Sequence, residues 1–148
     1  MKIALASDHR GVRLKKFVAQ YLKELGHETE DFGTYSKDSC DYPDYVYPAS
    51  KSVQEKKNDR AIVICYTGIG SSIVANKVNG IRASLVFNLA SAKLTRQHND
   101  SNVLVLAAPL FKRDYLKKVI SIWLKTEFEG GRHLRRVKKI REIENKEK

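Results

Sequence analysis

Cys65 heads the loop Cys65-Tyr66-Thr67-Gly68-Ile69-Gly70, which follows an apolar run and precedes a helix-forming stretch. Gly68 and Gly70 let the backbone turn tightly and aim successive N–H groups into one concavity. The helix N-terminus beyond them adds the positive end of its dipole. Such a nest suits a phosphate or a developing oxyanion, and the same donors make Cys65 a candidate base or nucleophile. The loop is no Walker motif, since no Gly-Lys-Ser/Thr follows. Nor is it a dinucleotide fingerprint, because Ile73 stands where a third small residue belongs.

Two other clusters carry chemistry-bearing types, Ser7-Asp8-His9 and Arg96-Gln97-His98-Asn99-Asp100. Each cluster also has a plainer reading. Most free cysteines behave as small buried hydrophobes, Asp8 and His9 could cap a helix, and His98 could be a surface residue at a helix end. Three such clusters at strand and helix ends, expected to converge on one edge of a sheet, argue for a site.

The elements that must position them alternate along the chain. Lys2–Ala6 reads as a buried strand. Val12–Leu25 reads as a helix with Leu14, Phe17, Val18, Tyr21, Leu22 and Leu25 on one face, stopped by Gly26. A short strand is expected over Glu28–Phe32, and a helix over Asp44–Lys57 that Pro48 would kink or start. Ala61–Cys65 is the clearest strand. A helix over Ser71–Val78 broken by Gly80, a strand over Arg82–Phe87, a helix over Leu89–Gln97 and a strand over Val103–Ala107 follow. Helices over Arg113–Thr126 and Arg132–Glu144 complete the chain. The alternation predicts an α/β fold: one Rossmann-like, three-layer domain spanning 1–148, with a five-stranded parallel sheet and a basic C-terminal helix and tail over 131–148.

The 148 residues suffice to bury a proper core. No run approaches the roughly 18 apolar residues of a membrane span, and Ile3-Ala4-Leu5-Ala6 is too short for the apolar region of a signal peptide. A cytoplasmic location is expected. Cys40 and Cys65 form neither a CxxC pair nor a zinc spacing, so no disulfide framework or structural metal is indicated. A net charge of +11 suits an anionic partner, a phosphorylated metabolite or a nucleic acid, or else reflects lysines that simply keep the surface soluble.

Several motifs in order then carry a resemblance. They are Ser7-Asp8-His9, Gly33-Thr34, Asp41-Tyr42-Pro43-Asp44-Tyr45, the Cys65 loop, Ala75-Asn76-Lys77, Gly80-Ile81-Arg82-Ala83, Arg96 to Asp100 and Gly130-Gly131-Arg132-His133. Over nearly its whole length the chain resembles the type B ribose-5-phosphate isomerases, which share a family with the galactose-6-phosphate isomerase subunits. The resemblance implies an aldose–ketose isomerisation without metal or cofactor, with Cys65 moving a proton between C1 and C2 of an open-chain sugar phosphate. Thr67 and the amides from Gly68 through Gly70 and Ser71 to Ser72 would stabilise the enediolate, His98 would assist ring opening, and Asp8 would hold a sugar hydroxyl. His9, Arg132 and Arg136 would grip the phosphate, with Tyr42 and Asn99 completing the substrate-binding set. Two subunits would build each site, the His98-Asn99 segment coming from the second, so a homodimer at least is implied, or a tetramer of two dimers. Another branch of the family has a glutamate base where this chain has Ser71.

Two positions depart from the family pattern. Tyr66 replaces the first glycine of the usual Cys-Gly-Thr-Gly, which would strain a positive φ or narrow the pocket. Pro109 stands where many relatives carry an arginine that can reach the phosphate across the interface, a role that proline cannot fill and that Lys112 or Arg113 could take over. Both positions bear on the nearest rival, a hexose-6-phosphate isomerase (allose or galactose 6-phosphate) or one of its subunits. Nucleic-acid binding by the tail rests on eight basic residues against three acidic ones between 132 and 148, but the tail lacks interleaved aromatics. A thiol hydrolase using Cys65, His98 and Asn99, and a non-catalytic relative, are the remaining alternatives.

Overall fold

Ile3 to Ala6 and Ala61 to Ile64 are shut off from solvent entirely, as continuous apolar runs must be when both faces of a strand are covered. In the computed structural model, which describes residues 1–146, these runs form β1 (Lys2–Ser7) and β3 (Arg60–Cys65). With β2 (Glu28–Asp31), β4 (Ala83–Leu85) and β5 (Val103–Ala107) they make one parallel sheet of order β2-β1-β3-β5-β4. Cys65 pairs with Ala107 at the carboxyl end of β3 and β5.

Side chains alternate across the sheet. Ile3, Leu5, Ile62, Ile64, Leu104 and Leu106 pack against α1 (Val12–Glu24) and α5 (Arg113–Lys125) through Val18, Leu22, Leu116, Ile120 and Trp123. Ala4, Ala6, Ala61, Val63, Val103 and Val105 face α2 (Pro43–Gln54) and α3 (Ile69–Ala75) through Val46, Ala49 and Ala75. Each of the valine, leucine and isoleucine side chains among them contributes about 1.5–3 kcal/mol on burial. The indole of Trp123 keeps its N–H satisfied by Ser101 Oγ at 2.8 Å.

The expected stop of α1 holds. Gly26 takes φ +79, its amide donates to Lys23 O, and the His27 amide donates to Leu22 O, which is the bonding of a Schellman cap. Three expectations need correction. α2 starts at Pro43 and carries Pro48 inside, losing one helical bond without ending. α3 begins at Ile69, so Gly70 lies within its first turn, and it ends at Ala75, well before Gly80. The side chain of Asn76 explains that end: it donates to Ser72 O and Ala83 O and accepts from the Ala83 amide, closing the helix and fixing the start of β4.

α4 (Leu89–Asn99) precedes β5, and α6 (Gly131–Lys146) follows α5. The last two residues of the expected basic tail, Glu147 and Lys148, lie outside the described residues. No described helix is long and apolar enough to cross a membrane.

Candidate active site

At the carboxyl edge of the sheet, Cys65 ends β3 almost completely buried and receives the Gly68 amide on Sγ at 3.2 Å. Gly68 makes this possible with φ +76, and a Cβ there would lie 2.4 Å from a Leu85 methyl. The Ile69 amide donates to Thr67 Oγ1, and the Ser72 amide donates to Gly68 O. Among the described residues the amides of Gly70 and Ser71 have no such partner, as the opening turn of a helix leaves them. The expected run of oxyanion donors therefore narrows to these two.

Gly70 is helical rather than a turn glycine, and its lack of a side chain serves a different need. A Cβ would meet the Tyr42 ring at 2.5 Å, so Gly70 lets Tyr42 lie directly against the free amides. Ser71 was expected to offer its amide. Its hydroxyl is buried with no partner, which leaves its amide, not its side chain, available to a ligand.

Asp8 directly follows β1, its amide donating to Ile64 O next to Cys65, and is also buried. Its Oδ1 accepts from the Arg10 and Gly11 amides at 2.9 Å each, which closes the turn leading into α1; the helix's own N-cap is Gly11, with no side-chain cap, and Oδ2 remains over for a ligand. His9 Nδ1 accepts the Cys40 amide at 3.3 Å. That bond places the ring proton on Nε2, making it a donor, and gives the Cys40 segment a positioning role.

The second half lies at the opposite edge. Because α4 runs antiparallel to the strands, its last residues sit where β5 begins, roughly 13 Å of strand away from the thiol's edge. The convergence of all three polar clusters on one edge therefore fails within a single chain. Asp100 takes φ 48 and ends α4; its carboxylate is shared by Arg82 (2.9 Å) and Arg96 (2.8 Å). Arg96 also donates to Ser101 O and Thr126 O, and Arg82 to Asn99 O. This network fixes His98 and Asn99 at the helix end.

The Glu129 amide donates to Gln97 O, which pins the start of α6 beside α4. His98 then stacks on His133, with centroids 4.1 Å apart, and Glu129 Oε2 lies 3.4 Å from His133 Nε2 and 3.8 Å from His98 Nε2. Burial first, then the nearby His98 and Arg132, hold the His133 imidazole below its ordinary pKa. Ligand atoms of His98, Glu129 and His133 fall within 4.8 Å of one another. The rings are parallel to 7°, however, and a cation shared between them would sit well out of both ring planes. Arg132 and Arg136 are exposed one turn apart on α6 and have no ion-pair partner among the described residues.

Glu129 was not singled out by the sequence pattern. The signal available was its position just before Gly130-Gly131, in the segment that leads into α6 four residues ahead of His133. Tyr66 is not at positive φ, so its backbone is unstrained. Its ring is half exposed beneath the Arg10 guanidinium, 4.7 Å from the centroid. Pro109 is exposed and lines the same cleft as Arg113.

A model of the family described as Ribose/Galactose Isomerase matches residues 3–140. The chain belongs to that family. Ribose-5-phosphate isomerase B of Escherichia coli is 42% identical over 145 residues, covering 98% of this chain and 97% of that protein. The solved structure of ribose-5-phosphate isomerase B from Clostridium thermocellum superposes with a TM-score of 0.98 at 47% identity, covering 100% of both chains. The Mycoplasma genitalium ribose-5-phosphate isomerase B, solved with bound ribulose 5-phosphate, gives 0.93 at 39% identity and covers 97% of this chain and 96% of its own. The two solved ribose/galactose isomerase relatives share the fold of the present chain over nearly its whole length.

Proposed function

We propose that this chain interconverts ribose 5-phosphate and ribulose 5-phosphate through an enediolate, with Cys65 as the acid–base group. The observation that carries the reading is the Gly68 amide on Cys65 Sγ beside the free amides of Gly70 and Ser71. The Gly68 N–H fixes the sulfur at the strand end, next to the two amides that face the reacting carbons. Cys65 removes the proton from C2 of the open-chain aldose, becomes a thiol, and returns the proton to C1. The two amides and Thr67 hold the oxyanion that develops between those events.

The separation of the two polar edges supports a shared site. A two-fold dimer sets the carboxyl edge of each copy against the other's amino edge, and does so twice. Each thiol then receives His98, for ring opening, together with Asn99, Arg132 and Arg136 of the partner subunit. His9 Nε2–H and the two arginines bind the phosphate, Asp8 Oδ2 holds a hydroxyl, and Tyr42 lines the sugar. Exposed Ile69 and Ile73 on α3 and Leu134 and Ile143 on α6 supply apolar surface for such an interface. Residues 1–148 act as one unit, the C-terminal helix serving the partner rather than a nucleic acid. A thiol that must stay free fits the cytoplasm.

The test is solvent-deuterium exchange with ribose 5-phosphate, allose 6-phosphate and galactose 6-phosphate. Label should enter C2 fastest with ribose 5-phosphate and vanish in Cys65→Ala. Preferred exchange of a hexose phosphate would make the chain a hexose-6-phosphate isomerase instead, and near-normal turnover by Cys65→Ala would remove the thiol from the mechanism.

A further inference from the structure

On the α1/α5 face of the sheet, a cleft of about 530 Å³ opens beside the thiol loop, within the roughly 300–1,000 Å³ usual for small-molecule sites. Arg10, Arg13 and Arg113 line it, and among the described residues none of the three is paired with a carboxylate. Three unpaired guanidinium groups around one hollow call for an anion, and their planar forks match phosphate. Aromatic rings of Phe17, Tyr66 and Phe111 form much of the wall, with Leu14, Ala108 and Pro109 between them. Arg10 lies over Tyr66, and Arg113 lies over Phe17 at 5.2 Å.

This cleft is not the phosphate grip described above. Asp8, His9, Cys65 and Thr67 do not line it; His9 turns toward the Cys40 segment, whereas its neighbour Arg10 turns toward Tyr66. A sugar phosphate or free phosphate would satisfy the arginines and leave the aromatic wall bare. A ligand that uses both carries a planar ring and a phosphate. We propose that the cleft is a second ligand site for a nucleoside monophosphate, the phosphate held by Arg10, Arg13 and Arg113 and the base against the aromatic wall. Tyr66, immediately after Cys65, is the wall this site shares with the thiol loop.

The site does not depend on the isomerase reading, because heat of binding is measured without turnover. Calorimetry on the assembled enzyme would compare AMP, adenosine and inorganic phosphate, with and without saturating ribose 5-phosphate. AMP should bind at least tenfold more tightly than either fragment, and keep its affinity when ribose 5-phosphate is present. Arg13→Ala should weaken AMP at least tenfold while KM for ribose 5-phosphate stays within twofold. AMP binding no tighter than phosphate would reduce the cleft to an adventitious anion site and overturn the proposal. Displacement of AMP by ribose 5-phosphate, or an Arg13→Ala variant altered in KM and not in AMP affinity, would overturn it by assigning the cleft to the substrate. Absence of AMP binding to the assembled enzyme would do so too, leaving the arginines to a contact between copies.

Discussion

The imidazole of His98 lies flat on that of His133, centroids 4.1 Å apart and planes within 7°, and Glu129 reaches both rings. The buried ring belongs to His133, so His133 is the platform on which the half-buried His98 ring lies. Burial and the neighbouring His98 lower the pKa of His133. Between that lowered value and the unfolded value of about 6.5, the unfolded chain binds more protons than the folded one. Stability must therefore fall as the pH drops through that window. Urea titrations between pH 7.5 and 5 should show the loss, and His133→Gln should flatten it. A residual slope is expected from His27, whose pKa is lowered in the same direction, first by desolvation.

Gly70→Ala places a methyl 2.5 Å from the Tyr42 ring. Overpacking of this kind costs about 1–3 kcal/mol, and here the strain falls on the two free amides. Urea denaturation should give a loss in that range, together with a fall in kcat. The double variant Gly70→Ala, Tyr42→Leu should recover the stability and leave kcat low.

Asp100→Asn keeps the left-handed backbone, which Asn tolerates, and removes the charge shared by Arg82 and Arg96. Both guanidinium groups are largely buried, with side-chain exposures of 11% and 7%. Leaving them without their anion should cost on the order of 3 kcal/mol, read as a lowered midpoint in thermal melting. Activity should fall further than the population of folded protein does, because this network holds His98.

The sheet was legible because strands buried on both faces must be written as continuous apolar runs, as in Ala61 to Cys65. Gly26 was legible for a similar reason, its cap being encoded in neighbouring residues. The start of α3 was not. Two glycines in three residues look like a loop, and the need for Gly70 comes from Tyr42, a residue nearly thirty positions away that no local spacing reveals. The edge on which His98 lies was misjudged by following chain order alone. A helix that returns antiparallel to its strands ends at their amino edge, so His98 and Cys65 share a motif pattern without sharing an edge.

The shared site is tested most directly by mixing two disabled enzymes. Cys65→Ser retains His98, and His98→Asn retains Cys65. Unfolded together in equal amounts and refolded, they should form hybrid dimers as about half of all dimers, each with one intact site of two. Ribose 5-phosphate isomerisation should return to about one quarter of the wild-type rate, against near-zero rates for the separately refolded variants. No recovery in a mixture shown to contain hybrids would mean that Cys65 and His98 act within one chain or not together, and would contradict the account.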